Sequence, residues 1–259
     1  MDSILISSQS MEDISEFAHE QWQVDYYTQA KSSETLNQDS LMILKVSSQC
    51  LVLAVADGMG GHASGELASQ LLLETIRHEI HKYNKGKAPL LDTILNGIMN
   101  GHKKIQSKYK GAGTTLCLAC IDHNKVQFFS VGDSLGLVVS GKNFITYQTW
   151  EHSPVGHLLA SGTLTEKDAI VHKDKNLLDN VLGYDPLRVE VSSPITLSAR
   201  DSVMLLSDGI RNLDLLENLV GQLKVSFRKK NANEFLSQFD AKLMIDDLSL
   251  INLRALNYQ

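Results

Sequence analysis

TTLCLACIDHNKVQFFSVGDSLGLVV, running from Thr114 to Val139, contains three apolar runs with very short connections between them. The runs read as strands at about Thr114–Ile121, Lys125–Val131 and Leu135–Val139, with a fourth near Phe144–Tyr147. A parallel pair needs a crossover of about a dozen residues or more, whereas Asp122-His-Asn-Lys, Gly132-Asp-Ser and Ser140-Gly-Lys-Asn are hairpin lengths. These strands are therefore antiparallel neighbours, and a sheet wound entirely from βαβ units is excluded.

Upstream, strand-like runs at Trp22–Thr28, Ser40–Val46 and Leu51–Ala56 precede two helical patterns, about Ser64–Tyr83 and Leu90–Tyr109. In the first, Leu67, Leu71, Leu72, Ile76 and Ile80 recur at helical intervals; in the second, Leu91, Leu95, Ile98, Met99 and Ile105 do. Each has one apolar stripe and so is expected to lie on a sheet face. After an irregular stretch from Trp150 to Ser193 come a strand at Asp201–Leu206, helical stretches near Leu213–Val225 and Ala232–Leu243, and a last strand at Leu248–Leu253. Strand clusters separated by helix pairs predict an α+β fold, a four-layer α/β/β/α sandwich of two antiparallel sheets flanked by helices. No repeat or linker divides the 259 residues, so one domain over 1–259 is expected.

Composition narrows the function classes. A net charge of −6 and the absence of a Lys/Arg run argue against a nucleic-acid backbone or a membrane surface as partner. The first residues lack a basic segment followed by an apolar core, and no apolar run approaches the roughly 18 residues of a membrane span, so a cytoplasmic protein is expected. Cys117 and Cys120, with His123 beyond, imitate zinc-ligand spacing. In a strand, residues three apart point to opposite faces, so the reading is buried thiols rather than ligands.

The segment LAVADGMGGHASGELA, Leu53–Ala68, contains Gly58-Met-Gly60-Gly61-His-Ala63, a match to the G-x-G-x-x-A turn that cradles a dinucleotide pyrophosphate. That reading needs an acidic residue about 20 positions on at the end of a second parallel strand, but Leu73–His81 is helix interior. Asp57 would also face the pyrophosphate directly. Other aspartates share its setting at a strand end: Asp39, Asp133, Asp208 and Asp246. Turn chemistry accounts for any one of them. Asp-Gly recurring in VADG and LSDG behind apolar runs points further, because carboxylates gathered at one rim stay ionised only beside cations. Hard oxygen ligands without a His or Cys quartet favour Mg²⁺ or Mn²⁺, and two such ions can clamp a phosphoryl group for attack by water.

The ordered set Asn37-Gln38-Asp39, Val55-Ala-Asp57-Gly58-Met-Gly-Gly61-His62, Gly113-Thr114-Thr115, Val131-Gly132-Asp133-Ser134, Glu151-His152-Ser153, Leu206-Ser-Asp208-Gly209 and Asp246-Asp247-Leu-Ser249 resembles the metal-dependent protein phosphatases, the PPM or type 2C family, particularly its compact bacterial members. DGMGGH is the most specific piece. The resemblance implies two Mn²⁺ or Mg²⁺ ions bridged by Asp57, with the Gly58 carbonyl on one of them and Asp208 and Asp246 on the other. Asp39 would lie near the ions, and Asp133 with Asp208 would form a weaker third site. It also implies a metal-activated water as nucleophile, His62 as general acid, and phosphoserine or phosphothreonine in proteins as substrate, opposing a Ser/Thr kinase, in a monomer. SGTLTEKDA, Ser161–Ala169, resembles wording of the family's flap, placed here at about 150–185.

Two departures bear on the substrate. The arginine that grips phosphate in the family, five residues before the last Asp of the first motif, is here Glu34. Lys31, three residues earlier, is the candidate replacement, as a point charge rather than a bidentate fork. The flap motif, Lys175-Asn176-Leu-Leu-Asp179-Asn180-Val-Leu-Gly183, lacks its second arginine. Those losses leave an alternative: a weak or inactive phosphatase fold that binds phosphorylated partners.

Overall fold

Near-continuous apolar strands split their side chains between two cores, and that split builds the layers. The computed structural model describes residues 2–60, 64–84, 88–212, 215–229, 232–237 and 246–256. In β4 (Asp39–Ser47), β5 (Cys50–Met59) and β7 (Leu116–Asp122), odd-numbered Leu41, Ile43, Leu53, Val55 and Ala119 face the second sheet, while Met42, Leu44, Val52, Ala54 and Leu118 face helices. The period of two on a strand buried on both faces needs apolar residues at every position, which is why these runs show no polar alternation.

The first sheet has the order β1-β4-β5-β7-β8-β11, with β1 at Ser3–Ser7, β8 at Lys125–Val131 and β11 at Glu190–Val191. Short β6 (Gly113–Thr114) pairs with β5, and β12 (Ile195–Thr196) with β8. The second sheet has the order β10-β9-β13-β14-β3-β2, from β2 (Ser15–His19), β3 (Trp22–Gln29), β9 (Leu135–Val139), β10 (Ile145–Gln148), β13 (Ser202–Leu206) and β14 (Leu248–Ala255). Every pairing is antiparallel. Helices α1 (Gly65–His81) and α2 (Leu90–Lys108) cover the first sheet, and α5 (Leu216–Lys229) with α6 (Ala232–Ser237) cover the second. The result is the α+β four-layer sandwich expected from the strand and helix pattern.

Several local readings are corrected. The buried stripe of α1 is Ala68, Leu72, Leu73, Ile76 and Ile80, with Leu67 exposed; α2 buries Ile94, Ile98 and Ile105 and exposes Met99. The rotation of α2 follows from Gly97 and Gly101, whose missing side chains let the helix lie against Ile76 and Leu72 of α1. Strands β1 and β2 and helices α3 (Pro154–Ala160) and α4 (Glu166–Ile170) went unread in the sequence. Of the expected helical stretches, residues 213–214 of the first and 238–243 of the second lie outside the described residues. The three cysteines are free, with Cys117 in the inter-sheet core and Cys120 in the helix-side core beside Cys50. Among the described residues no helix is long and apolar enough to cross a membrane.

Candidate metal centre

Residues from both sheets meet at one rim, and the strand register begins the assembly. In the β4–β5 ladder Asp39 stands directly opposite Asp57. Asp57 is not at a strand end, since β5 continues to Met59 and its last residues pair with β6. Thr114 and Thr115 hold its backbone: the Thr114 hydroxyl donates to the Asp57 carbonyl at 2.9 Å, the Thr115 N–H donates to the same oxygen at 2.9 Å, and the Asp57 N–H donates to the Thr115 hydroxyl at 3.0 Å. The Thr115 hydroxyl also meets that of Ser134 at 2.7 Å, which ties Asp57 to the turn bearing Asp133. The Gly-Thr-Thr and Val-Gly-Asp-Ser pieces thus work as one clamp on the main chain of Asp57.

The two Asp-Gly pairs have a common physical cause. A Cβ on Gly58 would lie 2.1 Å from the Gly65 carbonyl oxygen and 2.7 Å from that of Gln38. A Cβ on Gly209 would lie 2.0 Å from the Asp247 carbonyl oxygen. In each case another main chain presses against the residue after the acid, so only glycine fits. Through these contacts Asp57 is packed against the start of α1, and Asp208, which opens the 3₁₀ turn Asp208–Asn212, against the segment carrying Asp246.

Asp57, Gly58, Asp133, Asp208, Asp246 and Lys31 line a single cavity of about 210 Å³. Gln38 and Asn176 share its wall. Asp39 sits behind it, 1% exposed, with the hydroxyls of Ser207 and Ser249 near its carboxylate but no well-formed hydrogen bond to either oxygen. Its N–H is fixed by the Asn37 side-chain oxygen at 3.0 Å. Burial pushes the Asp39 carboxyl up to about 8; the hydroxyls of Ser207 and Ser249 oppose the rise, and the charges of Asp247 and Asp208 add to it. The Asp57 carboxyl is driven well above the ordinary range, first by burial, then by Asp39, Asp208, Asp133 and Asp246.

Asp247, beside Asp246 in the last motif, fastens the loop that enters β4. Its Oδ1 accepts the Lys31 N–H at 2.8 Å and its Oδ2 accepts the Gln38 N–H at 2.7 Å, closing both ends of the β3–β4 loop onto the start of β14. That clamp brings Lys31 to the cavity, where its Nζ lies 3.9 Å from Asp246 Oδ1. Glu34, on the same loop, is exposed and does not line the cavity. A carboxylate accepting two backbone N–H groups across the loop has no local sequence signature. His62 lies outside the described residues.

The donor set fits divalent cations of the hard, oxygen-seeking kind. Four aspartates and one lysine, Lys31, line the cavity among the described residues, Lys175 lines the hollow beyond it, and the Asp39 carboxyl is buried behind. Such a group of carboxylates is costly without positive charge to balance it. Among the described residues no three Asp, Glu, His or Cys side chains are drawn together closely enough to form a finished ligand cage.

Comparison with known proteins agrees with this architecture. The family model described as protein phosphatase 2C matches residues 28–243. The serine/threonine phosphatase Stp of Listeria monocytogenes is 30% identical over 187 residues, covering 68% of this chain and 73% of that protein. The Streptococcus agalactiae serine/threonine phosphatase superposes with a TM-score of 0.77 at 23% identity, covering 90% of this chain and 99% of that one. The catalytic domain of the phosphatase PstP, in complex with two manganese ions, gives 0.73 at 23% identity over 92% and 99%. At that identity the two structures speak for the fold, while the family model spans the motifs from β3 through Asp208. From the clamp on Asp57 to the span of that match, the same conclusion follows: the chain belongs to the protein phosphatase 2C family and is a protein serine/threonine phosphatase.

Proposed function

We propose that this chain hydrolyses phosphoserine and phosphothreonine in proteins with two Mn²⁺ or Mg²⁺ ions held by Asp57, the Gly58 carbonyl, Asp208 and Asp246. The observation that carries the proposal is the convergence of these residues on one cavity beside the buried Asp39 carboxyl. Divalent ions there supply an acidified water as nucleophile and neutralise the phosphoryl oxygens. Asp133 and Asp208 are the candidates for a weaker third ion. Asp39, too deep to line the cavity, stands opposite Asp57 behind the site, a carboxyl that gives up its proton when cations arrive.

The protein's own groups do the remaining work. Lys31 offers the substrate phosphate a charged donor from the cavity wall, in the part that arginine plays at the position of Glu34 in relatives. His62, five residues beyond Asp57, is the candidate proton donor to the leaving serine or threonine oxygen, because an imidazole exchanges protons near neutrality. The segment 150–185 acts as the flap of a single domain covering 1–259, placing Asn176 at the cavity. A cytoplasmic monomer opposing a Ser/Thr kinase completes the reading. The retained acids give the non-hydrolysing alternative no support.

Lys31→Ala tests the phosphate assignment without unfastening the loop, because Asp247 holds the Lys31 backbone and not its side chain. A charge-assisted hydrogen bond contributes about 1.5–3 kcal/mol, so KM for a phosphothreonine peptide should rise roughly tenfold or more while kcat changes little. Lys31→Arg should recover most of the loss. An unchanged KM in steady-state assays would remove Lys31 from the site.

A further inference from the structure

The cavity at the acid rim continues into a longer groove. It shares Asp133, Asn176 and Asp208 with a narrower hollow of about 60 Å³. That hollow in turn shares Glu151, Glu166 and Leu216 with a third of about 370 Å³. The path runs from the rim along α3 and α4 to the start of α5, with Val155, Ala169, Ile170 and Leu216 forming its apolar wall.

The far hollow has a distinct chemistry. Trp150, 56% exposed, stands at it with the exposed carboxylate of Glu166, and no Lys or Arg among the described residues lines it; Glu151 beside them is buried and already partnered, and Lys175 lines the middle hollow. Below them lie Leu159, Leu164 and Leu216. An exposed indole attracts a cation to its face, and a neighbouring carboxylate supplies the paired charge. The apolar floor suits the aliphatic stem of a long basic side chain. Glu166 is held in place at the first turn of α4, where the Thr165 hydroxyl accepts the Asp168 N–H.

We infer that this far hollow is a subsite for an arginine or lysine side chain of the phosphoprotein substrate, reached by the polypeptide flanking the phosphorylated residue. The inference rests on the reading of the 210 Å³ cavity as the phosphate site, and its occupant is the chain continuous with that phosphate. A small phosphate ester fills only the first cavity and never reaches Trp150. The subsite therefore acts on peptide recognition and leaves the chemical step alone.

The test compares two phosphothreonine peptides of equal length, one with arginines on both sides of the phosphoresidue and one with alanines there, alongside p-nitrophenyl phosphate, all with Mn²⁺. Wild type should favour the arginine peptide by about tenfold in kcat/KM. Trp150→Ala and Glu166→Gln, both at exposed positions, should erase that preference, with p-nitrophenyl phosphate hydrolysis kept within about twofold and melting temperature unchanged. Equal use of both peptides by wild type, with p-nitrophenyl phosphate hydrolysed normally, would overturn the subsite alone. A parallel loss of p-nitrophenyl phosphate turnover in the variants would overturn it too, by placing their effect at the metal centre. Failure of wild type to hydrolyse any of the three would instead overturn the phosphatase reading beneath it.

Discussion

Asp57→Asn is expected to lower turnover of p-nitrophenyl phosphate with Mn²⁺ by about 10³-fold or more, corresponding to about 4 kcal/mol of barrier. The residue stands opposite Asp39 and faces the charges of Asp208, Asp133 and Asp246, so it is the acid on which both halves of the site converge. Replacement by its neutral isostere leaves the backbone clamp from Thr114 and Thr115 in place, because those bonds use main-chain atoms of Asp57. The fold should persist. In EDTA the variant should melt at or above the wild-type temperature, since one member of a repelling set has been removed. Activity within tenfold of wild type would show that Asp57 does not hold the reacting centre together. Loss of activity together with a collapsed melting transition would assign it a structural role instead.

Gly58→Ala carries the second large effect, and it comes through the main chain. The added methyl would sit 2.1 Å from the Gly65 carbonyl oxygen and 2.4 Å from its carbon, with the Gln38 carbonyl oxygen at 2.7 Å. All three are backbone atoms, so no side chain can swing aside. Either β5 moves away from the start of α1 or the β4–β5 pair opens near Asp39 and Asp57. Overpacking of this kind costs about 1–3 kcal/mol or more, and a displacement near 1 Å costs about 10²-fold in rate. Both a lower melting temperature and a hundredfold loss of turnover are expected. Gly221→Ala is the control: its Cβ would lie 3.8 Å from the nearest atoms, in a helix where alanine is the better former. It should leave turnover unchanged, and equal behaviour of the two variants would contradict the close approach of Gly58 and Gly65.

The layering was legible because hairpin-length connections admit only antiparallel neighbours, and because β4, β5 and β7 carry apolar residues on both faces. The acids were legible for a related reason. Asp57 and Asp208 follow apolar runs and precede glycine, and each glycine is compelled by a neighbouring main chain. The edge strand β1 escaped notice because SILIS is short and only partly buried, and its pairing with β4 from Ser3↔Leu44 to Ser7↔Ser40 is long-range information. Helices α3 and α4 span only 7 and 5 residues, too few for a helical period to declare itself.

The site's supporting bonds were illegible for a different reason. The Asp247 carboxylate reaches Lys31 and Gln38 across more than 200 residues of sequence, and no spacing encodes that contact. His152 belongs to the same class. Its Nδ1 accepts from the Gly132 N–H at 3.1 Å and from the Asn180 amide at 2.8 Å, which leaves Nε2–H to donate to Glu190 at 3.1 Å. That ring joins the turn before Asp133 to the segment ending at Gly183, where the sequence showed only a missing arginine. The residue facing the solvent in place of the lost arginine, Glu34, and the one facing the cavity, Lys31, could be told apart only once Asp247 fixed the loop between them.

The central claim is that these carboxylates exist to hold two divalent cations, and a calorimetric titration of metal-free protein with Mn²⁺ at pH 7 measures it most directly. The account predicts two ions bound per chain with release of protons, seen as a binding heat that changes with the ionisation enthalpy of the buffer. The sign follows from Asp39, whose carboxyl is raised to about 8 and so holds a proton at pH 7 that an arriving cation expels; the Asp57 carboxyl is raised in the same direction. Fewer than two ions bound to wild type, or two ions bound equally well by Asp57→Asn, would contradict the account.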